Sequence, residues 1–495
     1  MPTIINRARL GNSTEDICHL AEGPFAGNLA VLDGYDLLLV PLAGKSAGVA
    51  RPLFDVRGLA VTGAPRGVAY LASEALFAFN DLRRRATLLL ADGDGRPAGE
   101  RAVQFPADFA PDQPEAIEAS PGGLGGERLL LAVVKFVPEQ ESRLEILRLV
   151  GDTYRVAGEV RPAEPVGQSF VTGAARLGEG FLVGVDDQLF VLDSAGNVAR
   201  SVGLPEALNV EGLAQLADGS VVAADLVAGR LFFFDKRLAR TPERDLDYRI
   251  GPGLFAAFGL AWDASAAQHL VLSPARGLPP GAQQVAGVPA SLDAAAPVVD
   301  LAAQNFGRGR RMTYLPDEQL IAVAHQRGPR AILLFDAKGR LAETIDVTAV
   351  GSPSAVAYVP SSQEFAVRVT EPGRATTLFF LTRQGQLSRT VDLAPAGVRS
   401  IVAVTHFGGA RLGDGPVRPG RLLVIDGPAT EADPVTDRAL IVGLDGRLLG
   451  EFNYRKSLGV LAPGDVAEVT TGEHAGALSI IDRSSNELVV FRLED

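Results

Sequence analysis

Cysteine is almost missing from this chain of 495 residues. Cys18 stands alone, so no intramolecular disulfide can form, which fits a reducing compartment. Lysine is nearly as rare: five of the 47 basic residues are lysine, the rest arginine, and 59 acidic residues leave a net charge of −12. A nucleic-acid partner needs a clustered basic face, whereas the arginines here are scattered among Asp and Glu. The one dense run, Arg308-Gly309-Arg310-Arg311, reads as a solvated loop ahead of a strand. No stretch reaches the roughly eighteen apolar residues of a membrane helix. The opening residues, MPTIINRARLGNSTED, lack the apolar segment of a secretory signal. Heavy Arg and Ala usage resembles that of a high-GC bacterial genome. A bacterial, cytoplasmic protein with no nucleic-acid partner and no membrane span is the expectation.

Catalytic signatures are as scarce. Gly44-Lys45-Ser46 has Leu39 where a phosphate-binding loop needs its first glycine, and no helix follows. Cys18 and His19 are neighbours on a strand and point to opposite faces, so they form no dyad. Trp262-Asp263 occurs once, on an inner strand, unlike a tryptophan-aspartate repeat. The remaining histidines, His269, His325, His406 and His474, share no metal-ligand spacing. The catalytic residues are unknown at this level.

What the chain has is a recurring hairpin. It reads LLLADGDGRPAGERAVQ from Leu88, LFVLDSAGNVARSVGL from Leu189 and ILLFDAKGRLAETIDV from Ile332. It returns as LFFLTRQGQLSRTVDL from Leu378 and ALIVGLDGRLLGEFNY from Ala439. Each copy is an apolar run, a turn, and a strand alternating apolar and polar residues. Gly95, Gly196, Gly339, Gly385 and Gly446 take the turn position that needs φ > 0. Asp92, Asp193 and Asp336, three residues earlier, are placed to accept turn amides. The copy at Leu231 keeps Asp235 but puts Leu238 in the glycine position.

Two further strands precede each hairpin, giving a four-stranded unit with a repeat in the forties, roughly the length of a propeller blade. Ten inner strands are expected to begin near Ile17, Gly67, Ala116, Phe170, Val210, Phe255, Met312, Ala355, Ser400 and Val466. Pro274 to Pro297, rich in Gly, Pro and Ala, reads as an exposed insertion. The last unit stops one strand short, and TIINRARL from Thr3 supplies a strand to complete it. The expected fold is an all-β propeller of about ten four-stranded repeats, one ring over residues 1–495 closed by the N-terminal strand. The alternative is two smaller propellers in tandem, residues 11–250 and residues 251–495 with 1–10.

Residues 210–235, VEGLAQLADGSVVAADLVAGRLFFFD, resemble a blade of the NHL and senescence-marker/gluconolactonase group of propellers. AEGPFAGNLAVLDGYDLLLVPL from Ala21 resembles that group's opening blade, and GLAWDASAAQHLVLS from Gly259 echoes the pattern. The resemblance implies a calcium or other divalent ion in the central tunnel and hydrolysis of lactones or esters. By position it makes Glu22 the first metal ligand and puts Glu211 in place of an asparagine ligand. Later inner strands, such as FGLAWD and SAVAYVP, carry no Asn or Asp where the remaining ligands belong, and a hard cation wants six or more oxygens.

Two readings stay open. The first is a non-catalytic propeller without a cofactor, a binding or scaffold module for a protein partner in an assembly. The second is a divalent-metal lactonase or esterase using Glu22 and Glu211.

Overall fold

The computed structural model describes residues 2–494 apart from 60, 62–64, 108, 110, 121–127, 136–140, 206, 208, 227–228, 249–250, 255–256, 258, 275–282, 302–308, 326–329, 409–419 and 428–436. The inner-strand start at Phe255 and the arginines at 308 and 310 lie outside the described residues or have undescribed side chains.

Ten four-stranded antiparallel units follow one another along the chain, the second and third joined into one eight-stranded sheet by a short parallel pairing of Thr153, Tyr154 and Arg155 with Ala102, Val103 and Gln104. Their first three strands are apolar on both faces because each blade is sandwiched between two others. Strands buried on both sides read as continuous apolar runs. Val221–Asp225, Ala331–Phe335 and Ala477–Asp482 are buried throughout. The fourth strand is peripheral and largely exposed, as in Val198–Gly203 and Leu387–Asp392.

The hairpin turns are built as the sequence implies. All five glycines have φ between 72° and 89°. Asp92, Asp193 and Asp336 each accept two turn amides at 2.9 Å, from the residues two and four positions on. Asp235 does the same at 2.8 Å, and Leu238 itself takes φ 57°. The aspartate clamp and the burial of Leu238 hold a branched residue in the left-handed region, where an L-residue costs about 1–2 kcal/mol.

The chain forms two compact units, Asn12–Ile250 and Gly251–Asp495 with Met1–Gly11. In the first, the inner strands Thr14–Leu20, Val68–Leu71, Gln113–Ser120, Gly173–Leu177 and Val210–Gln215 lie side by side in that order, and the fifth lies beside the first. Ile17, Val31 and Val40 of its first blade pack on Ala214, Val222 and Phe233 of its fifth. In the second, the cycle runs Gly259–Asp263, Gly309–Leu315, Pro353–Val359, Ile401–Phe407, Pro463–Val469 and back. Leu260 and Val271 pack there on Ala467 and Ile481. Each unit is a five-bladed ring. The single ten-bladed ring is therefore corrected: the fifth blade buries its free face against the first instead of the sixth.

Two smaller departures concern loops. Pro274–Pro297 is not one exposed insertion, because Gln283–Pro289 is the third strand of its blade and mostly buried. Its Gly and Pro content concealed a strand that its neighbours on both sides hold in place. Arg311 is no solvated loop residue either. It is buried, with Nε 3.9 Å from Asp465.

The N-terminal strand Pro2–Arg9 pairs antiparallel with Glu487–Leu493, Pro2 opposite Leu493 and Arg9 opposite Glu487. It supplies the fourth strand of the last blade and covers an edge that would otherwise invite strand addition. Deleting residues 1–10 is expected to lower the melting temperature of the second unit sharply and to produce aggregates. An unchanged melting profile and a monomeric elution in size-exclusion chromatography would count against this closure.

Candidate functional site

In a propeller blade the innermost strand has a neighbour on one edge only. Its other edge turns unpaired N–H and C=O groups toward the ring axis, and buried amides need acceptors. In the first ring, carboxylates supply them. Asp16 receives the amides of Ile17 at 2.9 Å, Val68 at 3.0 Å and Ile117 at 3.1 Å, which belong to the first, second and third blades. Glu118 receives Arg176 N at 2.5 Å and the amide of Gln215, from the fourth and fifth. Two side chains thus serve all five blades.

The second ring repeats the device. Asp465 takes the amides of Val466, Leu260 at 2.9 Å and Met312 at 3.4 Å. The Thr313 hydroxyl takes Tyr358 N at 3.2 Å, and Glu468 takes Gly408 N at 2.9 Å. Asp465 is buried beside Arg311 and pushed up to about 7 by that burial.

At the N-terminal end of the first ring's inner strands, Glu15, Glu115 and Glu211 gather around Arg66, which donates to Glu15. Burial works against the arginine's charge, and the three glutamates outweigh it. The carboxyls move the other way: burial pushes Glu115 up to about 8 and Glu211 well above its usual range, with Arg66 opposing. Asn209 Nδ2 donates to Glu211 at 2.6 Å.

The proposed metal pair does not meet. Glu211 is buried in that cluster, whereas Glu22 is exposed in the turn beyond Leu20, past the opposite end of the inner strand. Its neighbour Gly23 has φ 82° and sits where a Cβ would lie 2.8 Å from the Tyr70 hydroxyl. No group of three or more His, Cys, Asp or Glu among the described residues could hold a metal. These donors do not fit the ion that the resemblance implies.

At the C-terminal end of the same strands the ring opens into a cavity of about 430 Å³. Its polar wall is His19, Tyr70, Glu118, Arg176 and Gln215, with Cys18 behind them. Glu118, half-buried, is pushed up to about 8 by burial, against the Arg176 amide and charge and the Gln215 amide. His19 donates to the Gln215 carbonyl and is lowered by burial. Burial pushes the Cys18 thiol well up, and the Asp16 and Glu118 carboxylates add to it. The Tyr70 hydroxyl is buried and has no hydrogen-bond partner. The corresponding opening of the second ring is far smaller, about 70 Å³.

Similarity to known proteins adds little. No family model and no curated protein matches the chain. Solved structures do match; that of streptogramin B lyase is 12% identical, with a TM-score of 0.28, over 66% of this chain and 94% of that one. The propeller assignment rests on sheet order and ring closure. Among the described residues no helix is long and apolar enough to cross a membrane.

Sequence reasoning placed Glu211 on an inner strand but missed Asp16, Glu118 and Asp465. Each is one of two acids on an otherwise largely apolar inner strand: Glu15 and Asp16, Glu115 and Glu118, Asp465 and Glu468. A carboxylate in a run otherwise fit for burial was the available signal.

Removing Asp16 orphans three buried amides at once. Asp16→Ala should cost on the order of 3 kcal/mol, since an unsatisfied buried donor costs about 1–3 kcal/mol. Asp16→Asn, which keeps one acceptor oxygen, should cost less. Urea unfolding of both variants checks the order; equal and small losses would show that water replaces the carboxylate.

The raised carboxyls set the pH dependence. Glu115 and Glu118 hold protons in the folded chain up to about 8 but lose them near 4.5 when unfolded. The folded state binds more protons across that window, so the stability these two groups contribute is fully present below about 4.5 and is lost as pH rises to about 8. The urea midpoint should be lower at pH 8.5 than at pH 5.5, with a shallower drop in Glu115→Gln. A midpoint that rises over this range would contradict the assignment.

Proposed function

We propose that the protein is a non-catalytic binding module whose ligand site is the 430 Å³ cavity at the mouth of the first ring. One observation carries the reading. The cavity ends on a floor where Glu118 already serves backbone amides, so the polar groups around it are arranged to hold a ligand and not to attack one.

A nucleophile needs an adjacent base held by a third group. Cys18 is buried with its thiol pushed up, and the His19 donor is spent on the Gln215 carbonyl. Cavities of about 300–1,000 Å³ with a few converging polar groups are the usual form of small-molecule sites. A role within a protein assembly finds support on the second ring. Leu341, Leu387 and Leu448 open the outer strands of three successive blades and are 41%, 52% and 40% exposed. Exposed apolar side chains in equivalent positions suit a protein surface. The lactonase reading draws nothing from the placement of Glu22 and Glu211.

A thermal-shift screen of small metabolites against the full chain tests the site. Compounds near 100 times their Kd should raise the melting temperature by several degrees. Ala217→Trp, which fills the exposed rim of the cavity, should abolish those shifts. Stoichiometric divalent metal together with lactone turnover, both lost in Glu22→Gln, would replace the binding module by the hydrolase.

A further inference from the structure

We propose that the cavity of the first ring takes a small organic monocarboxylate, gripped by the Arg176 guanidinium with the Tyr70 hydroxyl as a second donor. The inference rests on the reading of this cavity as the ligand site and names what enters it.

Charge is the first argument. Arg176 is half-buried in the wall and its side chain makes no ion pair or hydrogen bond among the described residues. The ring's other inner arginine, Arg66, is by contrast held by Glu15. A guanidinium presents a planar fork that matches a carboxylate with two parallel hydrogen bonds.

The second argument is what surrounds it. The groups facing Glu118 are Asp16, Cys18 and His19 from the first blade, Tyr70 from the second and Arg176 from the fourth; the fifth contributes uncharged Gln215. Glu118 spends its oxygens on the amides of Arg176 and Gln215, and burial pushes it up to about 8, so that near neutral pH it offers the Arg176 guanidinium no ion pair. Asp16 is committed to three amides. Burial favours the neutral form of His19, against the Asp218 charge and the Gln215 carbonyl. Tyr70 is 6% exposed, and its hydroxyl is an unpaired donor in the same wall.

Size and polarity supply the third. Ala21, Ala119, Ala214 and Leu216 also line the cavity, so it offers one cationic grip and an apolar bed. A compact inorganic anion would leave that bed unfilled, and a neutral molecule would leave Arg176 unpaired.

Isothermal titration of the full chain with benzoate, benzamide and inorganic phosphate at pH 6.5 and 9.5 tests the proposal. Benzoate should bind at least tenfold more tightly than either competitor, and Arg176→Ala should weaken it at least tenfold while circular dichroism stays unchanged. Tyr70→Phe should weaken benzoate several-fold yet leave the ligand-free melting temperature equal or higher, because it removes an unsatisfied hydroxyl. Affinity should fall as pH rises through about 8, where Glu118 becomes an anion beside the ligand, and Glu118→Gln should flatten that dependence. Equal binding of benzamide and benzoate, or an unaltered Arg176→Ala, overturns the proposal. If metabolites that Ala217→Trp excludes are all uncharged, the site stands and the carboxylate falls. If Ala217→Trp binds benzoate as well as the parent chain, the site itself is wrong.

Discussion

Five strand edges turned toward one axis create a shortage of hydrogen-bond acceptors, and each ring depends on meeting it. The inner strands cannot pair with one another, and water is largely excluded from so narrow a centre. A carboxylate that reaches across the axis solves the problem for several blades at once. Asp16 ties three blades and Glu118 the other two; Asp465, Thr313 and Glu468 divide the same task in the second ring. Such buried acids are costly alone, but Asp16, Glu118 and Asp465 are each held by two or more donors, the condition under which buried polar groups stabilise.

This solution shapes what the protein can bind. Among the described residues, a centre filled by amide-bonded carboxyls offers no group of three or more ligands for a cation. The proposed binding site lies outward of it, in the funnel where the inner strands of the first ring end. There the same Glu118 that serves the backbone forms the floor, and the Arg176 side chain beside it makes no ion pair among the described residues. Under the proposed function, structural and ligand-binding roles converge on one side chain. The smaller opening of the second ring, lined by Trp262, Tyr314 and Tyr358, shows how bulky residues at equivalent levels close the funnel.

Much of the blade was legible without coordinates. The turn glycines, their aspartates and the alternation of the outer strand are local chemistry, and each took the conformation that chemistry requires. Even the degenerate copy obeyed: Asp235 holds its turn and Leu238 accepts the strained φ. Gln283–Pro289 was misread because its Gly and Pro suggest a loop, while two flanking strands supply the pairing that makes it a strand. Glu22 and Glu211 were matched by motif position alone, which carries no information about which end of a strand faces which partner.

The sequence by itself determined the ten four-stranded units, their turns and the role of the N-terminal strand as the missing edge, because a β unit is specified by its own period of apolar residues and turn chemistry. Only the tertiary structure decided that the units close in two groups of five. That choice depends on whether Ala214, Val222 and Phe233 meet Ile17 and Val31 or the next blade along the chain, a contact between residues far apart in sequence. The placement of the carboxyls followed from it. Which amides Asp16 and Glu118 reach is set by the width of the ring, and the width is a property of five blades together and of no single repeat.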